Sequence, residues 1–98
     1  MAAYVISEAE VRDAQAMERY RMLAARSIAQ YGGRYLVRGG ISETVEGGLP
    51  AKTLIIVEFP SMARLREWYA SAAYADALGE RGKALDRRLI FVEGAAPA

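Results

Sequence analysis

The run TLIIVEF, Thr53–Phe59, limits the architectures open to this chain more than any other stretch. Its apolar residues fall in both phases of a strand: Ile55, Val57 and Phe59 in one, Leu54 and Ile56 in the other. Successive strand side chains leave opposite faces, so such a run belongs to a central strand covered on both sides. RRLIFVEG, Arg87–Gly94, repeats the signature, with Leu89 and Phe91 opposing Ile90 and Val92. A fold containing these two strands needs a layer on each face of its sheet.

The remaining elements supply only one such layer. AYVISEAEV, Ala3–Val11, is expected as a strand built on Tyr4, Val5, Ile6 and Val11. Asp13 then offers an N-cap to AQAMERYRMLAARSIAQY, where Met17, Tyr20, Ala24, Ser27, Ile28 and Tyr31 recur at helical spacing on one face. Gly32-Gly33 stops that helix, because glycine readily takes the left-handed conformation at C′. RYLVR, Arg34–Arg38, is the next strand, interrupted by a bulge at Gly39-Gly40 and continued through ISETVE. GGLPAK, residues 47–52, is a turn. After Thr53–Phe59, Pro60 breaks the strand, Ser61 caps a helix in MARLREWYAS, and a second short helix covers Tyr74 to Lys83.

The order β-α-β-β-α-β is the ferredoxin-like arrangement, an α+β fold with a four-stranded antiparallel sheet and its helices on one face. The whole of residues 1–98 is expected to be one such domain. Helices on one side leave the other sheet face uncovered. A second copy of the chain covers it most economically, giving a homodimer joined through its sheet faces.

Composition excludes much chemistry. There is no cysteine and no histidine, so disulfides, thiol catalysis, Ser-His-Asp machinery and the usual zinc sites are absent. No metal and no cofactor is expected. Thirteen basic and twelve acidic residues leave a net charge of +1, which provides no general field for nucleic acid or an anionic membrane. No apolar run approaches the ~20 residues that cross a bilayer, and the N-terminus lacks a basic segment before an apolar core. The expected location is cytoplasmic.

YGGRYLVRGG, then VEFPS, WYASAAY and a C-terminal VEG together resemble the DUF1330 family, small proteins of uncharacterised function within the dimeric α/β-barrel superfamily. The resemblance spans Ala3 to Gly94 and implies a ferredoxin-like protomer that forms a dimeric α/β barrel through its sheets. Superfamily relatives include cofactor-independent monooxygenases, EthD-like proteins and stress-responsive barrels. The chain departs from the family where Ser71-Ala72-Ala73-Tyr74 stands in place of a Ser-Pro-Glu-Tyr-like segment.

Tyr31–Gly40 is not a phosphate loop: its glycines follow a helix and precede a strand, so no helix N-terminus points at them. Its arginines are the sharper feature. Arg34 and Arg38 share a parity with Leu36 and are expected on one face of the strand, where buried charge needs a partner or an anion. Pairing across the turn puts Glu58 close to Ile41, and the bulge brings Arg38 to Glu58. That pair is either a structural ion pair or a catalytic couple, Arg38 gripping a carboxylate or enolate while Glu58 orients it. Tyr20, Tyr31, Trp68 and Tyr74 are either core residues or, with Arg34, Arg38 and Ser71, the lining of a ligand pocket between helices and sheet. Ser71 serves equally as a helix cap. Arg81, Arg87 and Arg88 form a small basic cluster from which one side chain can reach the pocket mouth, and the Arg64–Glu67 run is a solvated helix face.

Two functions follow. In one, the pocket binds or transforms a small aromatic or carboxylate-bearing molecule, in the manner of a cofactor-independent monooxygenase. In the other, the chain is a non-catalytic dimeric module that sequesters a ligand or mediates contacts, its arginines purely structural. A closed apolar pocket of ~300 Å³ or more holding an unpaired Arg38 or Arg34 favours ligand binding or catalysis, whereas its collapse, with both arginines paired to Glu58 or other carboxylates, favours an interaction module without a ligand.

Overall fold

A computed structural model describes residues 1–48 and 52–96. Four strands, β1 (Ala3–Val11), β2 (Arg34–Arg38), β3 (Thr53–Phe59) and β4 (Leu85–Glu93), form one antiparallel sheet in the order β2-β3-β1-β4. Helices α1 (Ala14–Gln30), α2 (Met62–Tyr69) and α3 (Ala72–Ala84) complete the ferredoxin-like protomer. The shortest dimension is only 16 Å, the thickness of one sheet and one helical layer.

Local chemistry fixes the helix ends. Asp13 accepts the Ala16 amide at 3.0 Å and Ser61 the Arg64 amide at 3.1 Å, both as N-caps. At the end of α1, Gly33 N–H donates to the Ile28 carbonyl and Gly32 N–H to Ala29, with Gly32 at φ +80°. This is the Schellman closure, and it needs glycine at the left-handed position. Gly33 is required for space instead: a Cβ there would lie 2.7 Å from Ile28 and 2.8 Å from Phe59.

The sheet's covered face carries Ala3, Val5, Ser7 and Ala9 of β1 with Val57 and Phe59 of β3, all buried beneath the helices. Met17, Tyr20, Ala24 and Ile28 of α1, Leu65 and Trp68 of α2, and Tyr74 and Ala77 of α3 close the core. The opposite face presents a row of three isoleucines, Ile56, Ile6 and Ile90, in register across three strands.

Two sequence expectations need correction. ISETVE does not extend β2: pairing stops where Gly39, at φ +74°, donates its N–H to Leu54, and residues 41–45 form no strand. The bulge lies earlier, between Tyr35 and Val37, not at Gly39-Gly40. The turn expected at 47–52 falls partly outside the described residues, though Gly47 and Gly48 both have positive φ. The last helix starts at Ala72 and the last strand at Leu85, each two residues earlier than the sequence suggests.

Candidate functional site

The helices and the sheet do not close completely. A cleft of about 790 Å³ opens between α1 and the covered face, reaching from Tyr35 and Arg38 at the β2 edge to Leu85 and Arg87 on β4. Its walls are mainly apolar, with Met17, Val57, Ile55 and Trp68 among them. Four arginines (Arg21, Arg26, Arg38 and Arg87) and one glutamate (Glu18) line it, so its charged residues sum to 4 − 1 = +3. Glu18 is itself tied to Arg21 at 3.1 Å. The cleft is therefore a positive, apolar-walled space.

The bulge determines which arginine reaches it. Arg34 lies opposite Glu58 and Tyr35 opposite Val57, but after the extra residue Leu36, Val37 lies opposite Ile56 and Arg38 opposite Ile55. One inserted residue inverts the alternation. Arg34 consequently leaves on the uncovered face, where it donates to Glu58 at 2.8 Å. Arg38 leaves on the cleft side, with its guanidinium stacked 4.2 Å over the Tyr35 ring and no carboxylate at ion-pair distance among the described residues. The expected proximity of Glu58 to Ile41 and Arg38 is thus replaced by an Arg34–Glu58 pair. Arg38 and Glu58 sit on opposite sides of the sheet and cannot act as a couple.

The other expected site residues separate in the same way. Tyr20 and Trp68 line the cleft. Trp68 packs 4.2 Å from the Tyr74 ring and donates its indole N–H to Ser27 Oγ at 2.9 Å, fastening α2 to α1. Tyr74 is fully buried behind the wall. Ser71 is the N-cap of α3, accepting the Tyr74 amide at 3.1 Å. Tyr31 lies outside the cleft beneath Arg64, 4.7 Å from its guanidinium.

Sequence reasoning named Arg87 only within the Arg81, Arg87 and Arg88 cluster; in the structure it is the central polar group of the cleft. Its Nη1 donates to Tyr20 Oη at 2.6 Å and its Nη2 to Tyr74 Oη at 2.7 Å, while the two phenols hydrogen-bond at 2.7 Å. Burial works against the guanidinium charge, yet the neighbouring Tyr20 and Tyr74 phenols outweigh it, and the pKa lies above its ordinary value. No carboxylate stands at ion-pair distance from Arg87 among the described residues. Two of the five guanidinium N–H groups are used by the phenols, which leaves three.

Tyr74 is wholly enclosed and Tyr20 nearly so, and either phenol can donate in the bond between them. Burial holds Tyr74 neutral by pushing its pKa far above the usual phenol value. The floor of the cleft is a guanidinium, which only donates, set against two phenol hydroxyls, an arrangement suited to an anionic oxygen. Among the described residues no three acidic side chains converge to hold a metal.

Fold and site together define a small ferredoxin-like α+β protein whose helix–sheet cleft is apolar in its walls and cationic at its floor. The chain belongs to the DUF1330 family, a domain of unknown function, whose model matches residues 2–95. No curated protein matches it. Among solved structures it is similar to a protein of unknown function from Rhodopseudomonas palustris, with TM-score 0.79 and 21% identity over 98% of this chain and 84% of that one. It is also similar to SnoaB, a cofactor-independent oxygenase from Streptomyces nogalater, with TM-score 0.68 and 10% identity over 98% and 95%. A dimeric ferredoxin-like protein of unknown function from Jannaschia sp. gives TM-score 0.66 and 14% identity over 96% and 100%.

Proposed function

We propose that this protein binds a small aromatic molecule bearing a carboxylate or enolate in the helix–sheet cleft, with the anionic oxygen on Arg87 and Tyr20. The observation that carries this reading is the state of Arg87: a half-buried guanidinium facing a cleft, held by two phenols in place of a carboxylate. A buried cation without an acidic partner is costly unless an anion completes it. The volume, about 790 Å³, falls within the range of small-molecule sites. Arg38 at the mouth adds a second positive charge for the approaching ligand.

The active unit in this reading is a homodimer, formed by apposing the uncovered sheet faces. The isoleucine row and the dimeric ferredoxin-like relative support that assembly. A cofactor-independent oxygenation is a second reading, favoured by one feature of the site: a guanidinium set against two phenol hydroxyls would stabilise the enolate that such a substrate must form before it meets dioxygen. Residues 1–98 act as a single domain in both readings.

Thermal-shift titration with small aromatic acids tests the proposal. Stabilisation should vanish in Arg87→Gln, weaken in Arg38→Ala, and persist in Arg64→Ala, whose side chain lies outside the cleft. Equal stabilisation of the wild type and Arg87→Gln would refute it.

A further inference from the structure

Ser7 is an anomaly in the covered face of β1. Its neighbours in the same phase, Ala3, Val5 and Ala9, are apolar core residues, and Ser7 itself is 5% exposed. It lines the cleft, yet its hydroxyl makes no hydrogen bond with another described side chain or backbone group. Among the described residues no enclosed side-chain oxygen is left without a partner, so the Ser7 hydroxyl is open to the cleft. The side chains that flank it on the covered face, Leu89 on β4 and Ile55 on β3, offer it no partner.

Ser7 also stands in a defined relation to Arg87. In the β1–β4 register Ser7 lies opposite Leu89 and Ala9 opposite Arg87, so Ser7 and Arg87 are diagonal neighbours on one face. The Cα atoms of such neighbours are about 7–8 Å apart, close enough for one small ligand to meet both side chains. Resting on the anion site proposed above, we infer that the cleft selects acids carrying a second oxygen beside the carboxylate, a 2-oxo or 2-hydroxy acid, with the carboxylate on Arg87 and Tyr20 and the second oxygen on the Ser7 hydroxyl. A hydroxyl donates to a keto oxygen and accepts from an alcohol, so Ser7 serves either ligand, whereas the Arg87 guanidinium only donates.

Phenylpyruvate and hydrocinnamate differ by that one oxygen and test the assignment by calorimetric titration against the wild type, Ser7→Ala and Arg87→Gln. The wild type should bind phenylpyruvate about tenfold more tightly, the amount one hydrogen bond supplies. Ser7→Ala should abolish that preference, leave hydrocinnamate affinity unchanged, and melt no lower than the wild type, because the lost hydroxyl had no partner in the free protein. Arg87→Gln should weaken both acids. If the wild type binds both acids equally, or Ser7→Ala keeps the preference, the Ser7 assignment is wrong while the Arg87 site stands. A melting temperature lowered by several degrees in Ser7→Ala would reveal a structural partner and also overturn the assignment. Failure of the wild type to bind either acid would remove the anion site and the Ser7 role together.

Discussion

Arg34 and Arg38, four positions apart on one short strand, leave opposite faces of the sheet: the first meets Glu58 at 2.8 Å and the second overhangs the cleft. Two residues of one type in one strand thereby acquire unrelated settings, an ion pair on one side and a cleft-facing cation on the other.

The Arg34–Glu58 pair makes stability depend on pH. Hydrogen bonding to Arg34 is the main cause that holds the Glu58 carboxyl below its ordinary value of 4.5. A depressed folded-state pKa stabilises the protein above the unfolded value, and that stabilisation fades as pH falls through the folded one. The wild type should therefore melt above Glu58→Gln at neutral pH, and the gap should close as the pH drops below 4.5. Melting curves that stay parallel down to strongly acid pH would contradict the pairing.

Tyr20, Tyr74 and Arg87 should behave as one unit. Tyr20→Phe removes the phenol partner of the enclosed Tyr74 hydroxyl, and Tyr74→Phe leaves an Arg87 N–H without its acceptor. Each single change should cost about 1–3 kcal/mol in urea unfolding, the penalty for an unsatisfied buried polar group. The double change should cost less than the sum by at least ~0.5 kcal/mol, since groups in one network couple. Strict additivity would mean that the three groups do not share a network.

Gly33 should tolerate no side chain. Alanine would place its Cβ 2.7 Å from Ile28 and 2.8 Å from Phe59, forcing two core residues apart. The expected cost of Gly33→Ala is about 1–3 kcal/mol, typical of overpacking. Gly40→Ala, where a Cβ meets nothing within 4 Å, is the control and should unfold at nearly the wild-type denaturant concentration.

The uncovered face supplies the test of assembly. Ile6 lies at the centre of the isoleucine row, between Ile56 and Ile90. If two copies meet there, Ile6→Arg buries an unpaired charge at the seam and should yield monomers in sedimentation at micromolar concentration, whereas the wild type sediments as a dimer. A wild-type monomer would dismiss the sheet-seam assembly.

Most of the fold was legible because its signals were local. The Asp13 and Ser61 caps, the Gly32-Gly33 stop and the apolar run of β3 each depend on a few adjacent residues, and each is found where the sequence places it. The site was less legible because it depends on phase. A single extra residue at Leu36 breaks the alternation that set Arg34 and Arg38 side by side, and no composition cue marks it. ISETVE has acceptable strand chemistry but no strand to pair with beyond Leu54. Arg87 did carry a signal: it is in phase with Leu85, Leu89 and Phe91, a charge set among core-facing positions. That phase was ambiguous in β4, whose two faces are both apolar, until the helices showed which one they cover. Ser7 interrupts the small apolar series of β1 in the same manner.

The Leu36 bulge gives β2 something like a reading frame. The same residues paired without the bulge, Leu36 opposite Ile56 and Val37 opposite Ile55, would carry the guanidinium of Arg38 to the outer face and leave the cleft mouth lined by Val37. Charge, composition and nearly all packing would be preserved. A relative with an unbulged β2 could thus share almost every residue with this chain and still present a different cleft entrance, so the pairing of this segment, ahead of residue identity, is the feature by which family members should be sorted.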